Sequence, residues 1–186
     1  MTTFVATLLL TIACKGKPVQ GTETVPDQRE NIEKTRTMAT DGQQDAQSEM
    51  VLKHYFKLKD ALVATDNDKA KSAGAELAGV LRSFDTSSFS EDGQNEMGDI
   101  LTNATEHAEH IAKSDIDHQR AHFKNLSKDI IDMVAITGTN APLYEQYCPM
   151  YDSNEGGIWL SMDEDIRNPY FGNRMLKCGK VQRKIM

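Results

Sequence analysis

Met97-Gly98-Asp99-Ile100-Leu101-Thr102-Asn103-Ala104-Thr105-Glu106-His107-Ala108-Glu109-His110-Ile111-Ala112-Lys113, then Ser114-Asp115, then Ile116-Asp117-His118-Gln119-Arg120-Ala121-His122-Phe123 and onward to Val134, carries two apolar helical stripes on either side of one short turn. In its first half Met97, Ile100, Leu101, Ala104, Ala108 and Ile111 recur at the three- and four-residue spacing of one helical face. In its second half Ile116, Phe123, Leu126, Ile130, Met133 and Val134 do the same. Ser114 or Asp115 between them is a residue type that caps a helix, its side-chain oxygen accepting from an N–H of the following turn. So short a connection makes the two helices antiparallel neighbours.

Two more stripes precede this pair. Val51, Tyr55, Leu58 and Leu62 follow Ser48, which is expected to open the first helix. Asp66-Asn67-Asp68 is a turn and cap signal, after which Ala70, Ala73, Leu77, Val80, Leu81 and Phe84 share a face; Ser87-Ser88-Phe89-Ser90 then punctuates the chain. The expected fold is mainly α, an antiparallel up-and-down four-helix bundle. After Gly138 the pattern changes to aromatic residues, Pro, Gly and Asn. Tyr144 to Cys148 and Ile158 to Ser161 read as short strands joined through Asp152-Ser153-Asn154-Glu155-Gly156-Gly157, so a small C-terminal β-hairpin or irregular cap should pack on the bundle. Trp159, Tyr170 and Phe171 are its expected buried anchors.

At the other end, residues 1–13 are almost wholly apolar, about half the ~20 residues a spanning helix needs, and read as a signal-peptide core. Thr11-Ile12-Ala13-Cys14 places a small residue before a cysteine, as at a lipoprotein processing site, although Thr11 stands where such sites carry leucine. Lipidation of Cys14 is therefore expected, followed by a polar tether over residues 14–47 and the folded domain over 48–186. That organisation implies a cell-envelope protein, held at a membrane by its lipid and facing the periplasm or exterior.

A length of 186 residues can bury a core without staples, so stability does not by itself explain the cysteines. The net charge of -7, with no basic stripe, argues against nucleic acid as a partner. A catalytic reading is not recommended by any Gly-rich phosphate loop, His-Glu-x-x-His motif or oriented Cys/His nucleophile, so the chain is read as no enzyme.

Chemistry concentrates in two places. Near the C-terminus, Cys148 and Met150 flank Pro149, and Met175 precedes Cys178 by three residues. These four sulfurs are soft donors of the kind that select Cu(I). A Cys148–Cys178 disulfide explains the cysteines equally well: closing a loop of roughly 30 residues stabilises by about 3 to 4 kcal/mol in the chain-entropy picture. The second place is the helical turn, where His107 and His110 precede it and His118 and His122 follow it. Relative to the two apolar stripes, His110 and His122 are the borderline donors, while His118 and His54 read as solvated surface residues. If these histidines and the sulfurs face one cleft, the site is mixed and would accept Zn²⁺ or Cu²⁺ as well.

Several segments together resemble a known family: Tyr55-x-x-Leu58-Lys59-Asp60-Ala61-Leu62-Val63, His118-Gln119-Arg120-x-His122-Phe123-x-x-Leu126-Ser127, Tyr147-Cys148-Pro149-Met150, Trp159-Leu160-Ser161, Ile166-Arg167-Asn168-Pro169-Tyr170-Phe171-Gly172 and Met175-Leu176-x-Cys178-Gly179. They look like an uncharacterised periplasmic domain family that occurs as small lipoproteins and as an appendage on adaptor subunits of copper/silver-type heavy-metal efflux systems. The resemblance covers roughly residues 50–181. It implies a metal-handling context, with His122, Cys148, Met150, Met175 and Cys178 at matching positions; His110 joins them from the helix geometry above.

The expectation is thus a membrane-tethered binding protein for a heavy-metal ion, copper or a relative such as zinc, acting in sequestration or delivery to efflux. Its metal ligands would be Cys148, Met150, Met175, Cys178, His110 and His122. The other expectation is an interaction module docking an efflux adaptor protein, its cap stapled by the disulfide.

Overall fold

The computed structural model describes residues 41–186, with side chains from residue 46. The expected signal segment, Cys14 and the tether up to residue 40 lie outside the described residues. Four helices follow in order: α1 (Asp41–Val63), α2 (Asn67–Arg82), α3 (Glu91–Lys113) and α4 (Ile116–Thr137). Each packs on its sequence neighbour, and α4 closes the ring against α1. This is the antiparallel bundle that the stripes predict. Val51, Tyr55, Leu58, Leu62, Ala70, Ala73, Leu77, Met97, Ala104, Ala108, Ile111, Phe123, Leu126, Ile130 and Met133 are all fully buried.

Three side-chain caps start the helices where the sequence signals them. Asp66 accepts from Lys69 N at 3.0 Å, Ser90 from Gly93 N at 3.3 Å and Asp115 from His118 N at 3.1 Å. The first helix differs from expectation: it starts at Asp41, and Ser48 lies inside it as a buried residue rather than at its mouth. The α2–α3 contact is unusually close. A Cβ on Gly74 would lie 2.9 Å from Ile111 Cγ2 and 3.0 Å from Ala108 O, so glycine lets the two backbones approach here.

The cap is a three-stranded antiparallel sheet, β1 (Leu143–Cys148), β2 (Gly157–Ser161) and β3 (Lys180–Ile185), in the order β2-β1-β3. The first two strands are those expected from the sequence, in a register that sets Tyr144 opposite Ser161 and Cys148 opposite Gly157. The third was not foreseen. Its residues are mostly exposed and basic, and it is held by pairing with β1 and by Arg183 Nε on Glu145 Oε2 at 2.7 Å.

β2 lies on α4, and a few polar residues lock cap to bundle. The buried Tyr55 hydroxyl bonds Ser127 Oγ at 2.8 Å and accepts from Leu160 N at 3.0 Å, joining α1, α4 and β2. Arg120, 3 % exposed, donates to Pro169 O at 3.0 Å, Leu62 O at 3.2 Å and Thr65 Oγ1 at 3.0 Å. Gly172, at φ 54°, has room for no side chain beneath it, since a Cβ would meet Thr65 Oγ1 at 2.3 Å and Arg120 Nη2 at 2.9 Å. Trp159 and Tyr170 are fully buried and meet edge to face at 5.8 Å, and Tyr170 also stacks on Tyr151 at 4.2 Å. Phe171 packs at the margin of this core rather than inside it.

Candidate metal centre

The turn between α3 and α4 is two residues long, so the last turn of one helix and the first turns of the other stand side by side. All four hairpin histidines meet there. His122 is at the centre: its Nδ1 lies 3.1 Å from His107 Nδ1, its Nε2 lies 2.9 Å from His118 Nε2, and its ring stacks on His110 at 4.4 Å. One nitrogen each from His110, His118 and His122 falls within 4.8 Å of the others. In a tetrahedral site with bonds of about 2.0 Å, ligand nitrogens stand about 3.3 Å apart, so small rotations would bring these three onto one ion.

Electrostatics keep the central donor neutral. Burial first, and then the neighbouring imidazoles of His110, His118 and His107, press the His122 pKa down to about 4. Burial likewise lowers His107. A neutral imidazole presents a lone pair, which a metal needs. One assignment of protons fits the inner contacts: His122 donates Nδ1–H to His107 Nδ1 at 3.1 Å, and His107 Nε2–H faces Asp129 Oδ2 at 3.9 Å, beyond hydrogen-bond reach. His122 Nε2 then carries the lone pair and accepts from His118 Nε2–H at 2.9 Å, a proton that a bound metal would displace. A ligating histidine commonly has such a partner on its other nitrogen, fixing ring and tautomer.

Of the six residues expected as ligands, the structure brings together His110 with His122, and separately Cys148 with Cys178, whose Sγ atoms are 3.1 Å apart as free thiols. It does not bring the two pairs to one point. Among the described residues, the three histidines are the one set of three His, Cys, Asp or Glu donors that converge within 4.8 Å. Met150 is 51 % exposed at the turn after β1, and Met175 is half-buried in the turn before Cys178. His118, read from the sequence as a surface residue, is part of the cluster, and His107 and Asp129 stand behind it. The signal for His118 was its i, i+4 spacing from His122 across from His110; judging each helix face alone hid it, because the gathering point lies between helices.

The fold and this site define a mainly α bundle with a small β cap and an exposed imidazole cluster on one hairpin. Residues 51–141 match a family described as "Protein of unknown function (DUF3347)". The matched span contains all four hairpin histidines and Asp129, and ends before β1 and both cap thiols. No curated protein and no solved structure matches the chain.

Proposed function

We propose that the chain is a non-catalytic metal-binding protein whose site is the imidazole cluster of the α3–α4 hairpin. The observation that carries the reading is the convergence of His110, His118 and His122 ligand nitrogens within 4.8 Å. Three imidazoles suit copper and zinc and disfavour the hard cations Mg²⁺ and Ca²⁺, which take oxygen. Three donors leave one coordination position open, and His110 and His118 are exposed, so an ion can be taken up and handed on. Sequestration, or delivery to an efflux system, is the role that fits such an open site. The family resemblance supports that context, and the reading of residues 1–14 as a signal with a lipidated cysteine supports a place in the cell envelope.

The test is titration of metal-free full-length protein with Cu²⁺ and Zn²⁺, in a Cys14→Ser, Cys148→Ser, Cys178→Ser background so that thiols do not contribute. One equivalent should bind, and His118→Ala or His122→Ala should weaken it by more than about 100-fold, beyond the cost of losing an outer partner. Unchanged binding in both histidine variants would sink the site. A second reading, an interaction module with a stapled cap that docks an efflux adaptor protein, is favoured by the 3.1 Å approach of the two thiols.

A further inference from the structure

Cys148 ends β1 opposite Gly157 and is fully buried, while Cys178 is half-buried in the turn before β3. Their approach is built, not incidental. At Gly179 (φ 143°) a Cβ would lie 2.8 Å from Tyr147 O and 3.0 Å from Trp159 Cη2, so glycine lets the chain press against the end of β1 immediately after Cys178. The buried Asn168 holds the same segment: its Nδ2 donates to Cys178 O at 2.7 Å, and its Oδ1 accepts from Tyr170 N at 2.8 Å and Phe171 N at 3.1 Å.

Two chemistries compete for a pair so placed. A tetrahedral metal with bonds of about 2.3 Å spreads its sulfurs to about 3.8 Å, and a linear two-coordinate ion spreads them further. The thiols at 3.1 Å are already closer than that. A disulfide needs about 2.05 Å, a further closure of about 1 Å. Among the described residues no His, Asp or Glu completes a group of three with the two sulfurs. Burial pushes the Cys178 thiol up to about 11, so its thiolate is scarce at neutral pH and attack by it should quicken as pH rises.

We propose that Cys148 and Cys178 are a thiol–disulfide exchange pair, with half-buried Cys178 the sulfur that meets an external disulfide and buried Cys148 the resolving sulfur. The thiolate of Cys178 attacks one sulfur of a disulfide RSSR, forming Cys178–S–S–R and releasing RS⁻, which takes up the proton that Cys178 gave up. The thiolate of Cys148 then attacks the Cys178 sulfur, closing Cys148–S–S–Cys178 and releasing the second RSH. The protein loses two protons and two electrons, and the external disulfide gains them. The pair acts independently of the histidine site, and its failure would leave that site standing.

The test uses the full chain carrying Cys14→Ser, so that the pair supplies the remaining thiols. Reduced protein with a metal chelator is equilibrated with oxidised and reduced glutathione, then alkylated and weighed intact. The expected result is two alkylatable thiols before and none after, with no adduct and a mass lower by two hydrogens. Adding Cys148→Ser should trap a single glutathione mixed disulfide at Cys178. Adding Cys178→Ser instead should leave Cys148 reacting at least about 10-fold more slowly, because access limits exchange. Cys148→Ala serves in place of Cys148→Ser where a buried hydroxyl unfolds the cap. Two thiols that persist, or two glutathione adducts on one chain, overturn the pair; equal rates at the two lone cysteines overturn the assigned order.

Discussion

The α3–α4 hairpin and the C-terminal cap each bring reactive side chains together, by opposite means. On the hairpin, His107 to His122 span 15 positions, and a two-residue turn with helical periodicity does the gathering. In the cap, Cys148 and Cys178 are 30 positions apart and meet through strand register, a glycine pressed against a backbone carbonyl, and a buried asparagine. The hairpin cluster is open at His110 and His118, as suits an exchangeable ion; the thiol pair keeps Cys148 buried and Cys178 half-buried, as suits a bond made between its own members and reached from one side. Clusters of reactive groups in one small protein therefore need not belong to one site.

The largest test of that separation is oxidation of the cap. Closing the Cys148–Cys178 loop should stabilise the protein against denaturant by about 3 to 4 kcal/mol over the reduced form. Affinity of the histidines for Zn²⁺ should be the same in both forms, and a matched change in affinity would show that the two regions are coupled. Next is Arg120→Met, which removes the charged fork joining α4, the end of α1 and the Pro169 carbonyl. Stranding those buried acceptors should cost about 2 to 4 kcal/mol in chemical unfolding. Thiol reactivity of Cys178 should rise as its segment loosens. A smaller effect separates the hairpin's inner and outer partners: His107→Ala should weaken Zn²⁺ binding about 10- to 100-fold while the melting of the cap stays put.

The bundle was legible because each helix carries its core residues at helical spacing and three carry a capping oxygen at the right place. Where that signal was absent the reading slipped. Nothing apolar recurs between Asp41 and Ser48, so the first helix seemed to open at Ser48, the first capping residue before the stripe. β3 escaped for a related reason: Lys180-Val181-Gln182-Arg183-Lys184-Ile185 buries little, and pairing with β1, not a hydrophobic face, makes it a strand. His110 and His122 were legible as borderline positions on single helices. His118 was not, since its role depends on the facing helix. That the sulfurs and imidazoles form two groups was beyond reach of spacing, because sheet register and the position of the cap on α4 decide it.

The smallest effect concerns two titrations within the hairpin that pull in opposite directions. Burial first, and then the Asp132 charge, raises the Asp129 pKa to about 7, with Lys128 opposing; His107 Nε2 faces it from α3 at 3.9 Å. In the unfolded chain Asp129 ionises near 3.9, so the stability it contributes is complete at low pH and is lost as pH rises from about 4 to about 7. His122 has its pKa depressed to about 4, so its contribution is present above the unfolded value near 6.5 and is lost as pH falls toward 4. Between pH 4 and 6.5 the slopes oppose, and metal-free protein should show a shallow stability profile there. Asp129→Asn removes one of them. Its stability should match the wild type near pH 4 and exceed it at pH 8 by about 1 to 2 kcal/mol, a figure reduced from the full shift because the carboxylate is partly screened by water. Denaturant unfolding with a chelator present, at pH 4, 6 and 8, checks both sign and window. A variant less stable than wild type at pH 8 would mean that Asp129 is held there as a favourable ionised partner of His107.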